Sequence, residues 1–126
     1  MNIAVVGSRR YPYSDVVREV VRSLPGQPTI VSGGATGVDT VAVEQAAASG
    51  YPVIVITPQW EKYGRSAGFL RNSLIVDHAD MVLAFWDEKS RGTIDTINKA
   101  LKAGKRVMLY TLDPSLAGEI TEPIKK

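Results

Sequence analysis

The sequence predicts an α/β domain in three layers, with a five-stranded, mostly parallel sheet covered by helices on both faces. Two patterns lead to this prediction. Short apolar segments alternate with longer segments whose apolar residues recur every three or four positions, as in amphipathic helices. The short segments are apolar at successive positions, which is typical of parallel strands buried on both faces. A length of 126 residues suits one domain spanning 1–126 and is too short for two ordinary domains.

The individual elements can be assigned from composition and periodicity. The predicted strands are rich in β-branched and aromatic residues and comprise Asn2–Val6, Thr29–Val31, Val53–Ile56, Met81–Phe85 and Val107–Tyr110. The predicted helices have an apolar stripe or are rich in alanine, and they comprise Val16–Leu24, Asp39–Ser49, Ala67–Ala79 and Thr93–Ala103. Ser14 is a candidate N-cap for the first helix. The less periodic tail, residues 111–126, could form a short extra helix, an edge segment of the sheet or a flexible segment.

The composition excludes several classes of functional site. The absence of cysteine excludes disulfides, thiolate nucleophiles and cysteine-based metal centres. A single histidine, His78, excludes a histidine-rich metal site and argues against a Ser-His-Asp hydrolase. It lies near a predicted helix C-terminus, where its own positive charge would interact favourably with the helix dipole. No apolar stretch approaches the roughly 20 residues of a membrane span, and the first residues lack a signal-peptide pattern. We therefore expect a cytoplasmic protein without a metal, a cofactor or a membrane partner.

The charge balance bears on the class of ligand. Lys and Arg number 15 and Asp and Glu number 13, which gives a formal net charge of only +2. So small an excess argues against the broad positive field of a typical nucleic-acid-binding protein, so we consider a nucleic-acid partner unlikely.

A ligand site is expected where polar and small residues follow the predicted strands, because parallel sheets of this kind bind ligands beyond the carboxyl ends of their strands. The strongest single motif is the glycine-rich turn SGGATGVD, residues 32–39. Its glycines permit close approach of a ligand, and the following helix N-terminus offers unpaired N–H groups to a phosphate. The turn has neither the Walker A sequence nor GxGxxG spacing, and a plain tight turn between strand and helix is the alternative.

Other residues at this edge add chemistry suited to a nucleotide, each with a structural alternative. Ser90, Gly92 and Thr93 form a second glycine-containing helix start, which binds phosphate or simply caps the helix. Arg9 and Arg71 are candidate anion contacts, and Trp60 and Tyr63 either stack on a base or pack a loop against the domain. Asp39 and Asp87 either hold ribose hydroxyls or serve as caps. The candidate ligand-binding residues are Gly7, Ser8, Arg9, Ser32, Gly33, Gly34, Ala35, Gly37, Asp39, Trp60, Tyr63, Arg71, Asn72, Asp87, Ser90, Gly92 and Thr93.

Four motifs in order resemble the SLOG superfamily: GSRR, SGGATGVD, W-x-x-YG-x-x-AG-x-x-RN and AFWDEKSRGT-x-x-TI. They are most similar to its small, stand-alone, YspA-like branch (the DUF2493 group). The superfamily also contains the LOG phosphoribohydrolases and the Rossmann-like domain of the DNA-processing protein DprA. The resemblance spans Asn2 to about Tyr110 and implies a Rossmann-like sheet, a nucleotide site and, since members often associate, a homo-oligomer. The site residues that it implies are Gly7, Ser8, Arg9, Ser32, Gly33, Gly34, Asp39, Arg71, Asn72, Asp87, Ser90, Gly92 and Thr93.

One departure from the superfamily bears on activity. LOG phosphoribohydrolases carry the signature PGG-x-GT-x-x-E, whose glutamate helps to cleave the N-glycosidic bond. Thr96 occupies that position here, and Asp95 is turned about 100° away around the helix. The catalytic residues of any hydrolase are therefore unknown, with Asp39, Glu44 and Asp87 as open candidates.

The first hypothesis is a sensor or sequestering protein for a nucleotide or an NAD- or ADP-ribose-like ligand. The alternatives are a nucleoside 5′-monophosphate N-glycosidase and a DprA-like nucleic-acid-binding module.

Overall fold

The computed structural model describes residues 1–125. Its strands are β1 (Asn2–Gly7), β2 (Thr29–Ser32), β3 (Val53–Val55), β4 (Met81–Phe85), β5 (Arg106–Tyr110) and β6 (Gly118–Ile120). Its α-helices are α1 (Ser14–Arg22), α2 (Val38–Ala48), α3 (Trp60–Tyr63), α4 (Ala67–His78) and α5 (Arg91–Lys102). Short 3-10 turns cover Gly64–Ser66 and Pro114–Leu116. No helix in this part of the chain combines the length and apolar character needed to cross a membrane.

The sheet has the order β3-β2-β1-β4-β5-β6, and its first five strands are parallel. Val17 and Val21 of α1 and Ala42 and Ala46 of α2 pack against one face. Helices α4 and α5 cover the other face with buried residues that include Ile75 and Ile97. The predicted α/β fold with helices on both faces is therefore confirmed.

Strand β1 shows why its sequence is apolar at successive positions. Ile3 and Val5 belong to the cluster beneath α1 and α2, whereas Ala4 and Val6 belong to the cluster beneath α4 and α5. Alternate side chains of a strand point to opposite faces, and here both faces are buried.

The prediction of five strands was wrong by one, because the tail supplies a sixth. Strand β6 pairs antiparallel with β5, in the register Val107 with Ile120. The sequence left three structures possible for the tail, and the structure shows the edge segment of the sheet, preceded by a single 3-10 turn. Lys126 lies outside the described residues. The antiparallel hairpin needs only a short connection, so it lacks the periodic helix that marks a parallel crossover.

Two local assignments also differ from the structure. Tyr13 rather than Ser14 is the N-cap of α1, and no side chain caps that helix. The loop after β3 contains the short helix α3 and a 3-10 turn. These segments have four and three residues, which is too short for a periodic pattern to predict them.

The start of α2 packs closely against the loop after β1. Gly37, the N-cap residue of α2, has φ of 82° and ψ of −125°. A Cβ atom there would lie 2.5 Å from the carbonyl oxygen and 2.7 Å from the Cα atom of Arg9. Only glycine combines this backbone conformation with so close an approach.

We expect Gly37→Ala to lower the free energy of unfolding by roughly 2–4 kcal/mol, since it adds steric overlap to backbone strain. Gly26→Ala is the matched control, because Gly26 also has a positive φ, 71°, but its Cβ would meet nothing within 4 Å. That control should lose only about 1–2 kcal/mol, the cost of the backbone conformation alone. Urea unfolding of both variants measures the difference, and equal losses would contradict the importance of the contact with Arg9.

Candidate functional site

A cleft of about 450 Å³ opens at the carboxyl edge of the sheet, where the loops after β1 and β4 diverge. This is the switch point at which ligands bind in parallel α/β sheets. Residues from the end of β1, the glycine-rich turn, α3, α4 and the start of α5 line it. The lining residues are Val6, Gly7, Arg9, Arg10, Ala35, Asp39, Trp60, Arg65, Gly68, Phe69, Arg71, Asn72, Ile75, Asp87, Ser90, Gly92, Thr93 and Thr96.

The cleft has a positive formal charge. Four arginines line it, Arg9, Arg10, Arg65 and Arg71, whereas its carboxylates are Asp39 and Asp87. Guanidinium groups bind phosphate and carboxylate oxygens through paired N–H donors. The arrangement therefore suits an anion.

Arg71 is held in a fixed orientation by the residues around it. Its Nη1 donates to the carbonyl oxygen of Gly33 at 2.6 Å, and its Nε donates to Oδ1 of Asn72 at 3.1 Å. A Cβ atom on Gly33 would lie 2.5 Å from Nη1, so a side chain at that position would displace the guanidinium. Asn72 in turn donates from Nδ2 to Gly92 O at 3.3 Å and Asp95 Oδ2 at 3.1 Å. Asn72 thus acts as a positioning residue that joins α4 to α5.

Asp39 is buried at the base of the cleft and accepts hydrogen bonds from the glycine-rich turn. Its Oδ2 accepts from the amide of Ala35 at 3.1 Å, and the amide of Gly33 also donates to this carboxylate. Burial raises the pKa of Asp39 from 3.8 to about 6, although these amides and the charges of Arg71 and Arg9 act in the opposite direction. Part of the donor set that a phosphate would use in this turn is therefore occupied by the chain's own carboxylate.

Asp87 organises the loop between β4 and α5. Its Oδ1 accepts hydrogen bonds from the amides of Lys89 and Ser90, both at 2.9 Å, and from the hydroxyl of Ser8 at 3.0 Å. Burial alone would raise its pKa, but these hydrogen bonds outweigh burial and hold the pKa of Asp87 below its usual value. The same turn places Glu88 at a φ of 68°, a conformation that costs about 1–2 kcal/mol without such support.

The start of α5 lies at the cleft wall. Ser90 is its N-cap and accepts a hydrogen bond from the amide of Thr93 at 3.4 Å. The amides of Arg91 and Gly92 belong to the first turn, where no intrahelical acceptor exists. Donors of this kind, next to the positive end of a helix dipole, are suited to an anion in the cleft.

The structure brings most of the predicted site residues together. Those that line the cleft are Gly7, Arg9, Ala35, Asp39, Trp60, Arg71, Asn72, Asp87, Ser90, Gly92 and Thr93. The others lie behind or beside it: Ser8, Ser32, Gly33, Gly34, Gly37 and Tyr63. Ser8 is buried against Asp87, Ser32 Oγ accepts from the Gly34 amide at 3.3 Å, and the ring of Tyr63 lies 5.2 Å from Lys62 Nζ.

Sequence reasoning missed seven lining residues: Val6, Arg10, Arg65, Gly68, Phe69, Ile75 and Thr96. Arg10 directly follows Arg9 in the GSRR motif after β1, so the sequence placed it at the right strand end but did not assign it a ligand contact. Arg65 and Phe69 lie in a short 3-10 turn and the first turn of α4, and their approach to the cleft depends on how α3 folds back. No periodicity in the sequence signals that fold.

The open catalytic candidates separate in the structure. Asp39 and Asp87 line the cleft, whereas Glu44 is exposed on α2 and does not. Thr96 lines the cleft, but its Oγ1 donates to Gly92 O at 3.2 Å within its own helix. His78 is exposed at the end of α4, where Nδ1 lies 2.8 Å from Leu74 O. Among residues 1–125, no cluster of three or more His, Asp or Glu side chains could hold a metal ion.

The raised pKa of Asp39 predicts a pH-dependent stability. The folded state keeps a proton that the unfolded chain releases between pH 3.8 and about 6. The contribution of Asp39 to stability is therefore complete below pH 3.8 and is lost as the pH rises through 6. Relative to the wild type, Asp39→Asn should gain roughly 2.5 kcal/mol in free energy of unfolding between pH 4 and pH 7, at about 1.4 kcal/mol per pKa unit.

Urea unfolding at several pH values measures this gain, and the exposed Glu44→Gln on the same helix is the control. An Asp39→Asn profile that runs parallel to the wild type would contradict the burial of a charged carboxylate.

Comparison with known proteins gives one family match and several similar folds. A family model described as DNA recombination-mediator protein A matches residues 1–62, just under half of the chain. The X-ray structure of DNA processing protein A (DprA) from Streptococcus pneumoniae has a TM-score of 0.73 and 24% identity, covering 86% of this chain and 50% of that chain. No curated protein matches this chain.

Two further structures have the same fold. DNA processing protein A from Helicobacter pylori, described for its single-stranded DNA binding mode, has a TM-score of 0.72 and 24% identity over 87% of this chain and 65% of that chain. TM1055, a structural genomics target, has a TM-score of 0.69 and 23% identity over 84% of this chain and 71% of that chain. The present chain thus spans only about half to two-thirds of the two DNA processing proteins. Together the three structures show that the fold of this chain is Rossmann-like.

Proposed function

We propose that the cleft binds a nucleotide or a nucleotide-derived anion of the NAD or ADP-ribose kind, and that the protein is a sensor or sequestering module of the YspA-like branch. The observation that carries this proposal is the excess of guanidinium groups, four arginines against two carboxylates, in a concave site at the switch point of the sheet. A site of this charge is poorly suited to a neutral or cationic ligand.

The phosphate is assigned to the start of α5 and to the arginines. Gly92 lines the cleft in the first turn of α5, where amides have no intrahelical acceptor. The glycine-rich turn contributes less, because amides of Gly33 and Ala35 already donate to Asp39. Arg9 is exposed and reaches the ligand freely, whereas Arg71 supplies a charge of fixed position.

The nucleoside is assigned to the mouth of the cleft. Trp60 and Phe69 are 56% and 51% exposed and offer apolar faces on which a base can stack. Of the two aromatic residues predicted in the loop after β3, Trp60 lines the cleft and Tyr63 does not. The Oδ1 atom of Asp87 holds its own loop, and we assign Oδ2 to a ribose hydroxyl.

Binding without cleavage is favoured by the chemistry at Thr96. A phosphoribohydrolase needs a carboxylate near the anomeric carbon, and the hydroxyl of Thr96 is committed to Gly92 O. One observation supports the enzymatic alternative: Asp39 lines the cleft and its pKa of about 6 suits a general acid near neutral pH.

A second candidate function, DprA-like binding of nucleic acid, is supported by the family match over residues 1–62 and by the shared fold. The low net charge of the chain argued against it. The concentration of arginines in one cleft weakens that argument, because a local field rather than the total charge attracts a phosphate backbone.

The test is ligand binding by wild type and Arg9→Gln, with Arg18→Gln on α1 as a control outside the cleft. Equilibrium dialysis against AMP, GMP, CMP, UMP, NAD and ADP-ribose measures affinity, and chromatography of the same samples detects free base. We expect at least one compound to bind intact and Arg9→Gln to weaken it by roughly 10- to 100-fold, the loss of a charge-assisted hydrogen bond. Arg18→Gln should bind like the wild type.

Each alternative outcome has a defined meaning. Binding of no compound, or equal affinity in Arg9→Gln, would reject the assigned nucleotide site. Release of free base that Asp39→Asn abolishes would instead establish the N-glycosidase.

A further inference from the structure

Asp39 is a buried carboxylate in a cleft whose other charged groups suit an anion. It is 5% exposed, lies in the first turn of α2 and lines the cleft together with four arginines. The protein thus holds a group with the sign of the ligand's own charge beside the place assigned to the ligand. Burial makes that charge costly, because the carboxylate loses its hydration there.

The charge of Asp39 is compensated only by amides and by distant cations. Its carboxylate accepts hydrogen bonds from the amides of Ala35 and Gly33, and Arg71 and Arg9 attract it without direct contact. The salt bridges within residues 1–125 all lie elsewhere and join Arg18 to Asp15, Arg22 to Glu19, Lys99 to Asp95 and Arg106 to Glu119.

The charged groups that surround Asp39 belong mostly to the cleft itself. Arg9 lies in the loop after β1 and Arg71 lies on α4. The other charged residues that line the cleft are Arg10, Arg65 and Asp87. Helix α1 also packs against α2, but its charged side chains are exposed and pair with one another. Asp39 therefore titrates under the influence of groups that the ligand itself would contact.

An anion in the cleft would favour the protonated form of Asp39 for three reasons. It brings a like charge close to the carboxylate, it takes up donors of Arg9 and Arg71, and it displaces water from the cleft. Burial already raises the pKa of Asp39 to about 6 in the free protein. A further rise on binding would bring the protonation of this carboxyl group into the neutral range.

We propose that the cleft binds its anion together with one proton, which is taken from solvent and held by the carboxyl group of Asp39. The proposal rests on the proposed function of the cleft and adds its regulation by pH. Affinity is high in acid and falls once the pH exceeds the point at which free Asp39 loses its proton. The protonated carboxyl group also supplies an O–H donor, which an anionic oxygen of the ligand accepts.

The glycine-rich turn keeps other hydrogen bonds when the charge of Asp39 is removed. Ser32 Oγ accepts from the amide of Gly34 at 3.3 Å, and Thr40 Oγ1 donates to Ala35 O at 3.0 Å. In Asp39→Asn the side-chain oxygen still accepts from the amide of Ala35, while the amide NH₂ group donates as the protonated carboxyl group would. Asp39→Asn is therefore a permanent mimic of the protonated state.

The test is isothermal titration calorimetry with ADP-ribose, NAD and sulfate between pH 5 and pH 8. These anions neither gain nor lose a proton in this range, unlike a phosphate monoester, whose second pKa is about 6. Repeating each titration in buffers of different ionisation enthalpy counts the protons taken up on binding. The proteins are the wild type, Asp39→Asn and Glu44→Gln, which makes the same charge change at an exposed position of α2 outside the cleft.

We expect the wild type and Glu44→Gln to bind roughly 10- to 100-fold more weakly at pH 8 than at pH 5, because affinity falls tenfold for each pH unit over which binding takes up a full proton. At pH 7 they should take up roughly half a proton or more. Asp39→Asn should take up no proton and should bind at both pH values as tightly as the wild type does at pH 5. A purely structural Asp39 would instead make Asp39→Asn the weaker binder at every pH.

The outcomes separate this proposal from the proposed function. Binding of ADP-ribose or NAD without proton uptake, or a pH dependence that persists in Asp39→Asn, would overturn the proposal and leave the nucleotide site intact. Sulfate binding with the expected proton uptake, but without binding of ADP-ribose or NAD, would keep the proton-coupled anion site and reject these nucleotides as its ligands. Binding of none of the three anions would overturn the proposal.

Discussion

The cleft depends on the central position of β1, which pairs in parallel with β2 on one side and β4 on the other. The chain leaves β1 toward α1 on one face and leaves β4 toward α5 on the other, so that the two loops separate. The amide of Ser8 still donates to Phe85 O at 3.0 Å, which keeps the ends of the two strands together below the opening. The paired ends of β1 and β4 therefore form the base of the cleft, and the diverging loops after them form its walls.

Much of this arrangement could be predicted from the sequence. Five apolar segments and four periodic segments gave the parallel sheet and its covering helices, because both faces of each central strand must be buried. Arg9, Asp39 and Asp87 could be predicted to lie near one another without knowledge of the strand order, because the carboxyl ends of parallel strands lie at the same edge of the sheet. The sequence could not predict β6 as a strand rather than a helix, because a three-residue segment is too short to show a periodic pattern of apolar residues.

The residues that the sequence could not place are those whose positions depend on packing. The glycines of the turn after β2 suggested an open phosphate cradle, yet Gly33 makes room for Arg71 and Gly37 makes room for the backbone of Arg9. Glycine is required both where two parts of the chain approach closely and where a ligand approaches the backbone, so the sequence alone does not distinguish the two cases. Likewise, a count of charges gives their sum but not their distribution, which depends on which helix faces meet.

The two tryptophans report on different parts of this molecule. Trp86 is 8% exposed and its indole Nε1 donates to Ser90 O at 3.1 Å, whereas Trp60 is 56% exposed at the cleft mouth. A buried indole emits at shorter wavelength than one in water, so the intrinsic emission of the protein has two separable components. A molecule bound in the cleft would change the long-wavelength component, whereas loss of the core packing around Trp86 would change the short-wavelength component. Changes at the cleft mouth and unfolding of the core can thus be followed separately in one sample without a label.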